Sequence, residues 1–269
     1  MAEQTNFLVD ARWLAGHRAE AVVIDTRAAA DFRAGHLEGA RHFDPFPFHH
    51  ADTGEAGMRE LRAQLEWIFS ALGITGDETL VFYENDSGMR ATRCAWLAEY
   101  AGHPRACILD GGLKLAGTAT TTVVEPVTPS AFVAAPRDEI FAGHQYIVER
   151  IGRRDVQIFD VRTDEEYFGE RVRARRAGAL PGAFHLDWIN SLAPNGAFKT
   201  PAELRTAFER LGLKPENEII PYCQGGYRSA NAYYALKLAG FARVRNYIGS
   251  WGEWGNREDL PIEYPRRRR

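Results

Sequence analysis

Val23-Ile-Asp-Thr-Arg27 is answered 135 residues later by Ile158-Phe-Asp-Val-Arg162. Each is a short apolar run ending in an acid and an arginine, as expected of a buried strand that runs out into a polar turn. The likeness continues outward from both. Gly35, Leu37, Gly39, Ala40, His42 and Asp44 match Gly178, Leu180, Gly182, Ala183, His185 and Asp187 at a shift of 143. The second copy has therefore gained eight residues in between, and these fall in Gly169-Glu-Arg-Val-Arg-Ala-Arg-Arg176, where four arginines crowd together. Further on, Tyr83 matches Tyr222, Ala101-Gly102 matches Ala239-Gly240 and Gly111 matches Gly249. A period this long means duplicated domains, since solenoid repeats run to about 20–50 residues.

Within each copy, apolar strands alternate with helical patterns, the signature of an α/β fold with a mostly parallel sheet flanked by helices. In the first copy 21–25, 80–83 and 106–109 read as strands, and 60–72 reads as a helix with Leu61, Leu65, Ile68 and Leu72 on one face. In the second, 156–160, 219–222 and 244–247 read as strands. A helix is expected over 201–211, with Thr200 as cap, Pro201 in the first turn and Glu203 completing a capping box. Residues 119–136 are rich in Thr, Pro and Ala and show no helical period, so they read as an extended linker over the surface. The domains are then 1–118 and 137–269.

The composition of the 269-residue chain, 45% hydrophobic with a net charge of −3, supports real cores and gives no reason to expect nucleic acid or a membrane as partner. No leader or membrane-spanning stretch is evident, and three cysteines argue against a disulfide framework, so the expected compartment is the cytoplasm. No Cys/His cluster has metal-site spacing, and no cofactor is expected.

The chemistry is expected in Ile219-Ile-Pro-Tyr-Cys-Gln-Gly-Gly-Tyr-Arg228. Here a strand runs into a tight loop and then into a helix that Gly240 closes. In open α/β sheets ligands sit beyond the carboxyl ends of the strands. A cysteine at that point faces the amino end of a helix, where free N–H groups and the dipole favour an anion. Such a setting lowers a thiol from about 8.5 to about 3.5–7.5. Gly225 and Gly226 let the amides converge on Cys223, and Arg228 supplies a fixed positive charge. Cys94 and Cys107 lack such company and read as packing residues. The corresponding first-copy loop, Glu84-Asn-Asp-Ser-Gly-Met-Arg90, has no cysteine and carries two acids, so that copy is expected to be inactive. Asp25, Arg27, Asp160 and Arg162 read as structural ion pairs and His36 as a surface histidine. Trp251 and Trp254 are expected to pack the C-terminal segment, and 266–269 reads as a solvated tail.

These motifs together resemble the rhodanese family, specifically its two-domain sulfurtransferases with an inactive first domain. The residues that carry the resemblance are Asp-Thr-Arg and Asp-Val-Arg, Gly-His-Leu-Glu-Gly-Ala at 35–40, Gly-Ala-Leu-Pro-Gly-Ala at 178–183, Leu-Asp-Gly-Gly at 109–112 and Tyr-Cys-Gln-Gly-Gly-Tyr-Arg-Ser at 222–229. The resemblance implies two tandem rhodanese-like domains. It also implies that Cys223 takes sulfane sulfur from thiosulfate as a persulfide and passes it to cyanide or a thiol. Gln224, Gly225, Gly226, Tyr227 and Arg228 would hold the persulfide charge, and Arg175 or Arg176 falls nearest the family's donor-binding arginine. Gln224 and Gly225 fit neither the thiosulfate nor the 3-mercaptopyruvate pattern, so the latter donor stays an alternative. Two other classes remain. A cysteine phosphatase or arsenate reductase would have five residues between Cys and Arg where this loop has four, and a binding module would have no need of an intact cysteine loop.

Overall fold

The computed structural model describes residues 7–267, and the chain divides into two compact units. The first is built from 7–49, 59–137 and 192–198, the second from 50–58, 138–191 and 199–267. Each unit thus includes a short segment from the sequence of the other copy.

In the first unit five parallel strands lie in the order β1-β5-β4-β2-β3, with β1 at Leu8–Val9, β2 at Ala21–Asp25, β3 at Arg41–His42, β4 at Thr79–Tyr83 and β5 at Ala106–Leu109. Parallel sheets bury both faces, which is why β1, β2, β4 and β5 are almost continuously apolar, while the edge strand β3 carries Arg41 and His42. On one face Val23, Val81, Tyr83, Cys107 and Leu109 pack with Leu14, Phe32, Leu37 and Ala116, brought by α1 (Ala11–Gly16), α2 (Ala29–Ala34), the turn that follows it and α5 (Gly112–Ala116). Helix α3 (Glu55–Ala71) buries Leu61, Leu65 and Ile68 at the predicted spacing, and α4 (Met89–Tyr100) packs on β4 and β5. Cys94 and Cys107 are buried, and burial pushes both thiols up, Cys107 to about 11. Both are packing residues.

Residues 119–136 run without helix or strand along the first unit. Their amides donate to Ser70 and Glu66 on α3 and to Ala101 after α4. The same segment covers His36 and corrects the surface reading of that residue. His36 is fully buried, stacks on Phe32 at 3.9 Å, and reaches the carbonyls of Phe32 and Val123.

The second unit carries α6 (His144–Val148), β6 (Val156–Asp160), α7 (Asp164–Tyr167), β7 (Phe184–His185), α8 (Pro201–Leu211), β8 (Glu218–Tyr222), α9 (Tyr227–Leu238) and α10 (Ser250–Trp254). The strand order is β7-β6-β8, all parallel. Helix α8 has the full capping box of Thr200 and Glu203 and ends on left-handed Gly212. One expected strand is missing: 244–247 pairs only through isolated bridges. Pro221 accounts for this. Ile219 donates to Arg243 and accepts from Arg245, but Pro221 has no N–H to continue the ladder and offers only its carbonyl to Tyr247. In the first copy Phe82 holds the corresponding place, opposite Ile108, and the β4–β5 ladder is continuous.

The Asp–Arg pairs recur in both copies as buried braces. Arg27 binds Asp25 at 2.6 Å and the Gly35 carbonyl, while Tyr83 donates to Asp25 and accepts from the Leu37 amide. Arg162 repeats this with Asp160 at 2.6 Å, Gly178, Tyr222 and Leu180. They fix the carboxyl end of the sheet, and in the second copy Tyr222 is the residue immediately before Cys223. At the C-terminus Arg267 pairs with Glu170 at 2.9 Å and lies over Phe168, so at that position the reading of a solvated tail gives way to an ordered contact. Arg268 and Arg269 lie outside the described residues.

Candidate active site

Strand β8 delivers Cys223 to the start of α9, whose first turn is entered through Gly226 in the left-handed region at φ 84°. Only this glycine of the pair needs that conformation. The turn aims the Gly226 N–H at the sulfur, 3.2 Å from Sγ. Burial of Cys223, which is 1% exposed, would raise its thiol. The Arg228 guanidinium, the amides of Ser229 and Gly225 and the Ser229 hydroxyl outweigh burial and bring it below the ordinary value. The sulfur therefore faces amide protons and a cation, which stabilise its thiolate relative to that of an ordinary cysteine.

Arg228 does not act alone. It is buried and holds Glu166 through two bonds, of 2.5 and 3.0 Å. Glu166 is 2% exposed. Burial would raise this carboxyl, but Arg228, the Thr163 amide and Arg173 bring it down to about 2. Glu166 is a residue that sequence reasoning missed, although Thr163-Asp-Glu-Glu166 carries a readable signal, the capping box that starts α7. That cap turns the carboxylate toward α9.

The arginine-rich insert contributes differently from expectation. Arg173 reaches Glu166 at 3.2 Å, and its carbonyl accepts from the Gln224 side chain. Arg176 instead spreads its guanidinium over the carbonyls of Trp254, Gly255, Arg257 and Leu260, clasping the segment after α10. Arg175 is exposed, and its amide donates to Asn256. Of the expected residues, then, Cys223, Gln224, Gly225, Gly226, Tyr227 and Arg228 come together in one loop. Arg176 is turned toward the C-terminal segment, and Arg175 meets that segment only through its backbone amide.

Helix α10 is laid directly on this loop. Trp251 N–H donates to the Cys223 carbonyl at 3.0 Å, and Gly252 N–H to that of Gln224 at 2.7 Å. A Cβ at Gly252 would stand 2.8 Å from the Gln224 carbonyl, so only glycine allows the approach. Trp251 and Trp254 are buried, with their indole N–H groups on the carbonyls of Arg176 and Pro261. Glu253, also buried, accepts from the amide and hydroxyl of Thr53 and from Tyr247, and pairs with His144 at 3.0 Å. Burial would raise Glu253, but these bonds keep it below the usual carboxylate value. No local pattern could have announced a partner 200 residues away.

In the first copy, Glu84 stands where Cys223 stands in the second. Its carboxylate accepts the amides of Arg90 and Ala91 at 2.7 and 3.0 Å, filling the helix N-terminus with the protein's own anion. Burial nonetheless pushes Glu84 up to about 7. Among the described residues no group of acids, histidines and cysteines could hold a metal ion, and no helix is long and apolar enough to cross a membrane.

The rhodanese-like domain family matches this chain twice, over residues 10–116 and 144–257. A thiosulfate sulfurtransferase of Azotobacter vinelandii is 35% identical over 91% of both chains, and one of Pseudomonas aeruginosa is 34% identical over the same shares. A protein of Thermus thermophilus named sulfur carrier protein TtuD is 30% identical over 95% of both. Among solved structures, an EanB variant in complex with ergothioneine superposes with a TM-score of 0.86 at 23% identity, covering 98% of this chain and 71% of that one. At that identity the likeness concerns the fold alone.

Proposed function

The chain belongs to the rhodanese family of sulfurtransferases, and from that premise we propose that it moves the outer sulfur of thiosulfate through a persulfide on Cys223. The Cys223 thiolate attacks the sulfane sulfur, the S–S bond of thiosulfate breaks, and sulfite leaves with the bonding pair. The enzyme is left as Cys–S–S⁻. Cyanide or an acceptor thiolate then attacks the outer sulfur, and the Cys223 thiolate departs, ready for another cycle. The two half-reactions suit a soft nucleophile of lowered pKa.

The observation that carries this reading is the convergence of the Gly225, Gly226 and Ser229 amides and Arg228 on one buried sulfur. Within it Cys223 is the nucleophile. The loop from Gln224 to Arg228 cradles the persulfide charge, and Arg173 is the insert arginine that supports it. Thiosulfate, a dianion, is the donor proposed because two arginines, Arg173 and Arg228, share the single charge of Glu166, and the positive charge left over offsets the Cys223 thiolate as the anionic donor approaches. The relative named as a sulfur carrier protein supports onward transfer of that sulfur to a further acceptor. Incubating the protein with thiosulfate should add the mass of one sulfur atom. Cyanide should remove it as thiocyanate, and Cys223→Ser should abolish both. Faster turnover with 3-mercaptopyruvate than with thiosulfate would reassign the donor, and release of phosphate from a phenyl phosphate would reassign the chemistry.

A further inference from the structure

The two copies lay equivalent segments over equivalent loops. Leu113 N–H donates to the Glu84 carbonyl at 2.9 Å where Trp251 donates to Cys223, and Lys114 donates to Asn85 where Gly252 donates to Gln224. Gly111 matches Gly249, so the next residues, Gly112 and Ser250, are also counterparts. They share a backbone: φ is 54° at Gly112 and 52° at Ser250. Glycine takes this left-handed conformation freely, whereas a residue with a Cβ is strained in it. Ser250 is the one non-glycine residue with positive φ among the described residues. In the first copy a Cβ at Gly112 would stand 2.3 Å from the Glu84 carbonyl. The cysteine-bearing copy therefore makes room for a side chain, and accepts strain, at the place where its counterpart has neither.

The hydroxyl gained this way is fully buried and fully used. It accepts the Cys223 N–H at 3.0 Å, donates to the Tyr247 carbonyl at 2.7 Å, and lies 3.9 Å from Sγ. We propose that Ser250 is a positioning residue for Cys223: its hydroxyl satisfies the nucleophile's own amide and so fixes the Cα from which the sulfur is aimed into the ring of amides. Two observations support a role beyond packing. The hydroxyl bonds the nucleophile's own backbone, and the neighbouring residues of α10 bond the carbonyls of Cys223 and Gln224. Without the hydroxyl the Cys223 N–H is buried and unpaired, and the loop must shift to find it a partner. The sulfur then leaves the point where the amides converge.

This inference rests on the sulfurtransferase reading, and its test keeps the two apart. Ser250→Ala removes the hydroxyl and keeps the backbone strain. Ser250→Gly removes the hydroxyl and relieves the strain, so it remains informative if the alanine variant fails to fold. Alkylation of Cys223 by iodoacetamide is followed against pH, beside thiocyanate formation and thermal melting. Both variants should alkylate about tenfold more slowly at neutral pH, with the midpoint of the profile moved upward. Thiocyanate formation should fall in kcat with little change in KM. The glycine variant should do so while melting no lower than the alanine variant. Alkylation profiles that superpose on that of the unaltered protein, with or without a lower melting temperature, would overturn the proposal. If the unaltered protein makes no thiocyanate, the sulfurtransferase reading fails, while the alkylation profiles still decide the role of Ser250.

Discussion

Replacing Glu166 by glutamine should make the protein less stable and its thiol more acidic, two effects of opposite sign from one substitution. The side-chain amide introduced by Glu166→Gln can still serve the capping box with Thr163, so the change isolates the charge. The carboxyl stands at about 2, against 4.5 for an unperturbed group, a difference worth about 3 kcal/mol. Because the folded value is depressed, that stability is fully present above pH 4.5 and is lost as pH falls toward 2. Removing one partner of a buried pair costs a similar amount, about 3–5 kcal/mol. At about 2–4 °C per kcal/mol for a protein of this size, the melting temperature at neutral pH should drop by roughly 6–12 °C. Arg228 loses its buried counter-charge in the same step. Its full field then falls on Cys223, and the midpoint of iodoacetamide alkylation should move down by about half a pH unit or more. Thermal melting and the alkylation profile together check the reasoning. An unchanged melting temperature, or a midpoint that moves up, would refute the view that Glu166 both holds Arg228 and tempers it.

Two further outcomes follow from the site. Arg176→Ala should lower stability by about 1–3 kcal/mol, because the Leu260 carbonyl loses its donor and those of Trp254, Gly255 and Arg257 are left with single backbone amides, yet leave the KM for thiosulfate unchanged; Arg173→Ala should raise that KM with little loss of stability. Steady-state kinetics beside denaturant melts would separate them, and a raised KM in the Arg176 variant would return that arginine to the site. In the first copy, Glu84 titrates at about 7 folded and near 4.5 unfolded, so the native state holds its proton longer. Stability should therefore decline by about 3 kcal/mol as pH rises from 4.5 to 7. Glu84→Gln should abolish that decline, as read from urea melts across this range, and a slope that persists would assign it to another group.

Much of the fold is legible because duplication makes each copy a control on the other. The strands at 21–25 and 156–160 and the Asp–Arg braces at their ends are local or recurrent features that pattern alone exposes. Cys223 can be singled out for the same reason, since strand end, glycine and helix start are neighbours in sequence. Expectation and structure part where a residue's fate depends on a distant one. His36 reads as a surface histidine because nothing in 35–40 tells of the segment 119–136 that covers it. The strand expected at 244–247 fails because its partner contributes Pro221, which has no proton to give. Arg175 and Arg176 fall nearest the donor-binding arginine that the family resemblance implies, yet Arg176 is claimed by carbonyls some 80 residues further on.

Duplication, the α/β class of both copies and the place of Cys223 between strand end and helix start follow from the order of residues alone, because periodicity, capping and loop chemistry act over a few positions. What surrounds the sulfur is settled by long-range packing: Glu166 on Arg228, Ser250 under the Cys223 amide, and Glu253 anchored by Thr53 and His144. These depend on which side chains meet once the strands are in register, and burial then fixes the charge each group carries. A thiol at a helix N-terminus can be read from a line of letters; the groups that set its acidity and aim are chosen only when the chain has closed around it.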